Sequence, residues 1–516
     1  MSELKTKTRL LPIPLGALAG VLAAVAALAA GHLVAAFVGL NASPYLAVGN
    51  AAIDLTPLPV KTWAVDTFGT ADKAVLLTGM ALVMLLAACL AGVLSRRKPL
   101  AGQIIVGLFG VAGIAAVMSR PDLGQLAILA PFVSVLVGVV VFTWLHRILL
   151  PQTYAEPVEG TTRRKFLITG AGVAVGAGVA GLAGQSIGAS KDAEGSRATV
   201  GRLVAARTAP PIPADADFAK FGTPRFLTVA PEKFYKIDTA LVVPQVRIED
   251  WSLKIHGMVD REITFSYSDI RNRPLVERVV TLTCVSNEVG GDLISTGKFI
   301  GVDLADLLNE AGVKPGAEQL FSTSVDGWTA GTPVPIVLDP NRGAMLAIGM
   351  NDEPLTVEHG FPARLVVPGL YGYVSATKWV TDLELTTWAG RQAYWLKRGW
   401  GQFGPIKTES RIDSPSGFAQ VGTGPLRVSG IAWAQHTGIE RVEVRLNQGP
   451  WQQAMLSAEV TKDAWRMWWL DVDVPKGTHQ LFVRATDQTG YTQTEARADV
   501  VPDGATGWHS VSLDAR

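Results

Sequence analysis

The chain is poor in cysteine: 516 residues carry only Cys89 and Cys284. Cys89 sits inside a long apolar run, and Cys284 in the segment VTLTCVSNEVGGDLIS, residues 280–295. A disulfide framework of the kind small exported domains use is therefore excluded. So are a CxxCH haem-attachment motif and the cysteine set of an iron–sulfur cluster, because neither spacing occurs. An excess of one charge is missing too. Lys plus Arg number 46 against 45 Asp plus Glu, a net charge of +1, and no basic stripe interleaves with aromatics. This gives no footprint for a nucleic-acid partner. Charge is also missing locally: the runs 14–38, 74–94, 101–118, 125–145 and 166–188 hold no Lys, Arg, Asp or Glu.

What is present in those runs is Ala, Val, Leu and Gly at about the 20-residue length that spans a bilayer as a helix. Buried core helices would need amphipathic neighbours, which the N-terminal third does not offer. The expectation is four transmembrane helices over 1–160 and a fifth over 161–189. Lys5, Lys7 and Arg9, then Arg96, Arg97 and Lys98, then Arg147, Arg163, Arg164 and Lys165 fall on one side if the N-terminus is cytoplasmic. The opposite loops hold Lys61, Lys73 and Arg120 alongside Asp54, Asp66, Asp72 and Asp122. The positive-inside bias then puts everything after about residue 190 outside the cytoplasm of a bacterial cell, as the soluble part of a multi-pass membrane protein. TTRRKFLITG, residues 161–170, resembles a twin-arginine export signal, a route that carries folded proteins. Its alternative is an ordinary positive flank with small residues for helix packing. GAGVAVG, residues 170–176, is not preceded by a strand, which argues against dinucleotide binding.

Within the spans, His32 and His146 lie near opposite membrane faces, roughly 20 Å apart in depth at ~1.5 Å rise per residue. They do not form a haem-clamping pair. The spans also lack the intramembrane charges of a transporter. They are expected to serve as an anchor or docking surface, with electrons exchanged with a separate partner.

The remainder divides into a linker over 190–225, Pro-rich at TAPPIPADAD, a mixed α+β domain over 226–402, and an all-β domain over 403–516. WSLKIHG (251–257), VVTLTCVS (279–286), ARLVVPG (363–369) and TKWVTDLEL (377–385) read as strands, and VDLADLLNEAG (302–312) as a helix stopped by Gly312. After about 405, RVEVRLNQGPW, WRMWWLDVDV and HQLFVRATDQTG repeat a strand-and-turn pattern. About seven strands in about 95 residues predict an immunoglobulin-like β-sandwich. In this setting Cys284 has no internal disulfide partner. It is a buried spectator, a reactive thiol, an intermolecular bridge or a metal ligand.

Three segments decide among these. TLTCVSN (281–287), HGFPARLVVPGLYGYVSATKW (359–379) and PDGATGWH (502–509) resemble, in order, the sulfite oxidase superfamily of molybdopterin enzymes. The resemblance covers about residues 226–510. It implies a Mo-molybdopterin cofactor with Cys284 as the thiolate ligand, in keeping with the preference of molybdenum for soft sulfur. It implies that His359, Arg364 and Lys378 hold the pterin phosphate, Arg by paired hydrogen bonds and Lys as a point charge. Tyr235, Lys236, Asp238 and Thr239 of FYKIDT, Asp326 of SVDGW, and Ser375 and Thr377 fall in the family's cofactor-contacting segments. The C-terminal domain resembles the family's dimerisation domain and implies a possible homodimer. Asn287 and Glu288 are candidates for the catalytic pocket by their closeness to Cys284 in sequence, with Glu288 a possible proton donor.

Two departures bear on the substrate. The family's Arg-bearing segment after the cysteine is replaced by Val285, Ser286, Asn287 and Glu288, and Ala330 stands where the family has an active-site tyrosine. A carboxylate near an anion site repels sulfite. The expected function is oxygen-atom transfer of the sulfite oxidase type on a small or protein-bound sulfur or oxo substrate. The alternatives are a methionine sulfoxide reductase on the same fold and a non-enzymatic envelope binding protein.

Overall fold

The structure is a computed structural model that describes residues 13–120, 123–149, 159–189 and 193–516. Lys5, Lys7, Arg9, Asp122 and residues 190–192 of the expected linker lie outside the described residues. The chain separates into two compact units, Met1–Lys191 with Ala240–Val243, and Asp192–Thr239 with Pro244–Arg516.

In the first unit, five helices among the described residues are long and apolar enough to cross a membrane: Ile13–Val38, Asp72–Leu94, Leu100–Met118, Gln125–Ile148 and Arg164–Ser186. They fall within a few residues of the five charge-free runs. The first packs closely on Asp72–Leu94 because small residues face each other: a Cβ on Gly20 would strike Ala88 O, and one on Gly92 would strike Gly16 O. Phe166 of the last helix is fully buried against Ala19 and Leu145. His146 hydrogen-bonds Ser95 O at 2.7 Å, which accounts for it as a helix-packing group. Between the first two spans the chain forms two further helices, Pro44–Leu55 and Leu58–Phe68, where a plain loop was expected. Pro44 occupies the first helical turn, where its missing N–H costs nothing.

The second unit opens with ten strands: β1 (Ser252–Gly257), β2 (Ile263–Ser266), β3 (Val276–Thr283), β4 (Ile294–Asp303), β5 (Gln319–Ser324), β6 (Thr329–Pro333), β7 (Met345–Met350), β8 (Glu353–Pro354), β9 (Arg364–Val366) and β10 (Val380–Thr386). They make two sheets, β2-β1-β10-β5-β6 and β3-β4-β7-β8, with β9 pairing β7. β1 alternates exposed Ser252 and Lys254 with buried Leu253 and Ile255, the signature of a half-buried strand. β3 is buried along most of its length and runs antiparallel to β4. The helix Leu304–Ala311 buries Leu304, Leu307, Leu308 and Ala311 and ends at Gly312, whose φ of 74° suits glycine.

The stretch expected as a free linker is tied down. Ala193–Val200 is helical, Arg207 bridges Val276, and Phe218 enters a core with Phe226, Val279, Ile294, Ile431, Trp433 and Met467. Apolar residues spaced among prolines gave the sequence no period, so this long-range packing was invisible there.

The C-terminal part has nine strands: β11 (Glu409–Ser414), β12 (Ala419–Val421), β13 (Gly424–Trp433), β14 (Ile439–Leu446), β15 (Gln452–Gln453), β16 (Met455–Leu456), β17 (Arg466–Val474), β18 (Gly477–Asp487) and β19 (His509–Ala515). They form the sheets β11-β13-β17-β16 and β12-β19-β18-β14-β15. The core of this region holds Ile412, Val428, Val442, Val444, Trp468, Leu481 and Val483. The surplus over the expected count of strands includes β15 and β16, where the chain leaves one sheet and joins the other.

Candidate active site

Cys284 is the first residue past β3. Its N–H donates to Leu293 O at 3.0 Å, and its carbonyl accepts from Asn287 N at 3.1 Å, so the chain leaves the ladder in a tight turn. The side chain is 8% exposed. Burial pushes the thiol pKa up, and hydrogen bonds from Ser286 and from the Val285 backbone pull the other way. Cys284 lines a cleft together with Tyr235, Asp326, His359, Arg364 and Lys378.

A cationic side is built by the turn after Val357–His359. Gly360 has φ 108°, and a Cβ there would lie 3.1 Å from the Cβ atoms of both Arg364 and Lys378. Only glycine lets these residues crowd together. His359 hydrogen-bonds Thr356 Oγ1 at 2.7 Å and Phe234 O at 3.4 Å. Burial, then the positive charges of Arg364 and Lys378, lower its pKa to about 4, so it is neutral at pH 7. Arg364 is 5% exposed and donates to His359 O at 3.3 Å. Burial lowers its pKa to about 10, which leaves it charged at neutral pH. Among the described residues no carboxylate forms an ion pair with it. Lys378 Nζ donates to Asp238 Oδ2 at 2.6 Å and to Glu358 O at 3.0 Å.

FYKIDT closes the site as an irregular extended segment. Tyr235 N donates to Ser295 Oγ at 3.0 Å, and its ring stacks on Phe234 at 5.9 Å. Burial raises the Tyr235 hydroxyl pKa, with Cys284 adding to the rise and Arg364 opposing it. Lys236, Asp238 and Thr239 line the same cleft, as does Asp326, whose Oδ1 accepts from Trp328 N at 3.1 Å.

This site fits a dithiolene–phosphate cofactor. A buried guanidinium without an acid is costly unless an anion completes it. Arg364 is such a group, and the buried Ser324 Oγ in the same cleft also has no hydrogen-bond partner among the described residues. The thiol stands ready as a soft donor.

Four expected site residues do not line the cleft. Asn287 is buried, and its Oδ1 accepts from Leu293 N at 2.8 Å, so it holds the turn. Glu288, two residues before the left-handed Gly290, is exposed. Ser375 donates to Leu370 O and Tyr371 O, and Thr377 hydrogen-bonds Ser322 at 2.7 Å; both are buried supports. Ala330 is buried on β6 and also lies off the cleft. Conversely, Trp328, Tyr373, Trp395 and Trp400 line the cleft and were not singled out. For Trp395 and Trp400 the signal was AYWLKRGW, residues 393–400, three aromatics in a polar loop.

Residues 240–395 match the oxidoreductase molybdopterin binding domain, and residues 406–515 the Mo-co oxidoreductase dimerisation domain. The chain is 33% identical over 150 residues to the uncharacterized oxidoreductase YuiH of Bacillus subtilis (strain 168), covering 29% of this chain and 72% of that protein. It is 28% identical over 333 residues to the mitochondrial sulfite oxidase of Macaca fascicularis, covering 54% of this chain and 60% of that protein. The chain belongs to the sulfite oxidase superfamily of molybdopterin oxidoreductases. The molybdopterin-binding domain it carries implies Mo-molybdopterin as its cofactor. It spans about 60% of the length of the sulfite oxidase it matches. Among solved structures, the sulfane dehydrogenase SoxCD from Paracoccus pantotrophus matches at 27% identity with a TM-score of 0.47, over 54% of this chain and 80% of that chain.

Proposed function

We propose that this protein is a membrane-anchored, extracytoplasmic molybdopterin oxidoreductase that transfers an oxygen atom to or from a sulfur substrate, with Cys284 as the protein ligand of molybdenum. The observation that carries this reading is the buried Cys284 thiol and the acid-free Arg364 guanidinium lining one cleft. When bound, the cofactor supplies two-electron oxygen-atom exchange. The chain supplies the rest. Arg364, with His359 and Lys378, binds the phosphate end, and neutral His359 lines that end without adding charge. Asp238 holds Lys378 in place through their 2.6 Å ion pair. Tyr235, kept protonated, donates from its hydroxyl toward the cofactor side. Asn287, Ser375 and Thr377 fix the backbone around these groups.

The domain limits follow this reading: spans to 160, the twin-arginine-like segment over 161–189, the cofactor domain over 226–402, and an immunoglobulin-like dimerisation domain over 403–516. The twin-arginine pair lies in the helix Glu159–Ala189 and suits export of a domain folded around its cofactor. Electrons pass to or from a separate partner.

Reduction of a sulfoxide is the second reading. It is favoured by the aromatic lining and by the absence of a cation among residues 285–288. Its balance is sulfoxide plus two electrons and two protons giving thioether and water. Assaying the detergent-solubilised, cofactor-loaded protein with sulfite plus ferricyanide, and with methionine sulfoxide plus reduced viologen, tests both. Turnover in one assay supports the corresponding direction. A loaded protein silent in both, and in a wider panel of sulfur and oxo compounds, overturns the enzymatic reading.

A further inference from the structure

Most polar side chains of the cleft that holds Cys284 are already engaged. Lys378 donates to Asp238 at 2.6 Å, and Asp326 accepts the Trp328 N–H at 3.1 Å. Both ring nitrogens of His359 are occupied, by Thr356 Oγ1 and by Phe234 O. Tyr373 spends its hydroxyl on Gly401 O at 2.5 Å. The Tyr235 hydroxyl differs. Among the described residues the only hydrogen bond of Tyr235 runs from its backbone N–H to Ser295 Oγ, so the phenol group has no partner. Nor is it sealed off: the unpartnered side-chain atoms shut away from solvent include the hydroxyls of Tyr267 and Ser324 but not that of Tyr235.

The hydroxyl is held on the cleft side, close to Cys284. Tyr235 is half-buried and lines the cleft together with Gly372 and Cys284. A Cβ on Gly372 would lie 3.8 Å from the Tyr235 hydroxyl and 4.0 Å from Thr283 O, the carbonyl just before Cys284. The charges of Cys284 and Arg364 both act on the hydroxyl, which places it near each of them. The ring is fixed from behind. It stacks on Phe234 at 5.9 Å, and Phe234 in turn meets the His359 ring edge-on at 5.4 Å and the Phe299 ring at 6.2 Å. A Cβ on Gly297 would come within 3.1 Å of the Phe234 ring, so glycine lets that ring seat itself against β4. A rigid, uncharged donor thus faces open space beside the proposed metal ligand.

We propose that Tyr235 is a catalytic residue of the site: its hydroxyl donates a hydrogen bond to the oxygen of a neutral organic sulfoxide, at the part of the cleft next to Cys284. The inference deepens the sulfoxide reading above and rests on it. A sulfoxide has one strongly accepting oxygen and two apolar arms. The phenol meets the oxygen without bringing a charge, and the aromatic lining from Trp328, Trp395 and Tyr373 suits the arms. Charge gathers on that oxygen as its bond to sulfur breaks, and a donor already in place there stabilises the change without having to reorganise.

The test uses the full-length, cofactor-loaded protein in detergent. It is titrated with methyl phenyl sulfoxide and with thioanisole, which differs only by the oxygen. Wild type is expected to bind the sulfoxide about tenfold more tightly, the range of one hydrogen bond made in a dry site. Tyr235→Phe is expected to keep its thioanisole affinity, its molybdenum and its pterin, and to lose the preference. In reduced-viologen turnover of the sulfoxide its kcat falls about 100-fold, the usual loss for one such donor. Tyr235→His, which retains an N–H, restores part of both. Tyr267→Phe, the same change at a sealed hydroxyl outside the cleft, alters neither. Equal affinity of loaded wild type for the two probes overturns the inference, and so does an undiminished preference or kcat in Tyr235→Phe. Loss of pterin from Tyr235→Phe also overturns it, because the hydroxyl would then serve the cofactor. A loaded wild type that does not turn the sulfoxide over sinks the sulfoxide reading itself, an outcome read on wild type alone.

Discussion

At the scale of single residues, the site is defined by groups whose burial makes sense only with a ligand. Arg364 is the clearest, a buried cation whose bonds reach only carbonyl oxygens. Arg364→Met should lower retained pterin at least about tenfold, and Arg364→Lys should fall between, because Lys cannot make paired hydrogen bonds to phosphate. Pterin fluorescence of the denatured protein measures this; unchanged content in Arg364→Met would remove Arg364 from the phosphate site. A second buried charge bears on stability. Glu409 is 4% exposed, and burial raises its pKa from 4.5 to about 8 against the opposing pull of Lys407. The folded protein therefore holds a proton that the unfolded chain releases above pH 4.5. This contribution is complete below pH 4.5 and is lost as pH rises toward 8, by up to about 1.4 kcal/mol per pH unit. Glu409→Gln should flatten the decline of the melting midpoint between pH 5 and 8; an unaltered slope would contradict the assignment. Cys284, Arg364, His359 and Lys378 were legible in the sequence because each belongs to a fixed local pattern. Trp395 and Trp400 were not, since they reach the cleft only through what folds around them.

At the scale of elements, the turn after Cys284 is braced from two directions. Asn287 accepts the Leu293 N–H, and Arg411 of β11 donates to Gly291 O. A Cβ on Gly290 would strike the His509 ring at the start of β19, so the C-terminal strands fit tightly against this turn. Asn287→Ala should cost about 1 kcal/mol, the range for one hydrogen bond lost at a partly buried donor. Denaturant unfolding reads the loss, and a change below a few tenths of a kcal/mol would mean the bond is dispensable. Elements with a clear period were readable: β1 from its alternation, Leu304–Ala311 from its apolar face and terminal glycine. The helices Pro44–Leu55 and Leu58–Phe68, the packed stretch after Ala193 and the two-residue strands β15 and β16 were not. Each is too short, or too dependent on distant contacts, to leave a periodic trace.

At the scale of the whole molecule, one chain carries a helical unit fit to span a membrane and a cofactor domain of an oxidoreductase family. If the twin-arginine-like pair directs export, the double variant Arg163→Lys/Arg164→Lys should leave a C-terminal reporter on the cytoplasmic side, where the wild-type fusion places it outside. Protease accessibility in spheroplasts distinguishes the two, and an unchanged pattern in the variant would mean the pair is only a positive flank. The central claim is that Cys284 ligates molybdenum held by the cleft. The most direct measurement is molybdenum and pterin content together with X-ray absorption at the molybdenum edge, on wild type and Cys284→Ser. The account predicts about one metal per chain in wild type, with three sulfur neighbours, two from the pterin and one from the protein, and one fewer in the variant. Wild type made in a cofactor-competent host that holds neither metal nor pterin, or a variant with an unchanged sulfur shell, would contradict it.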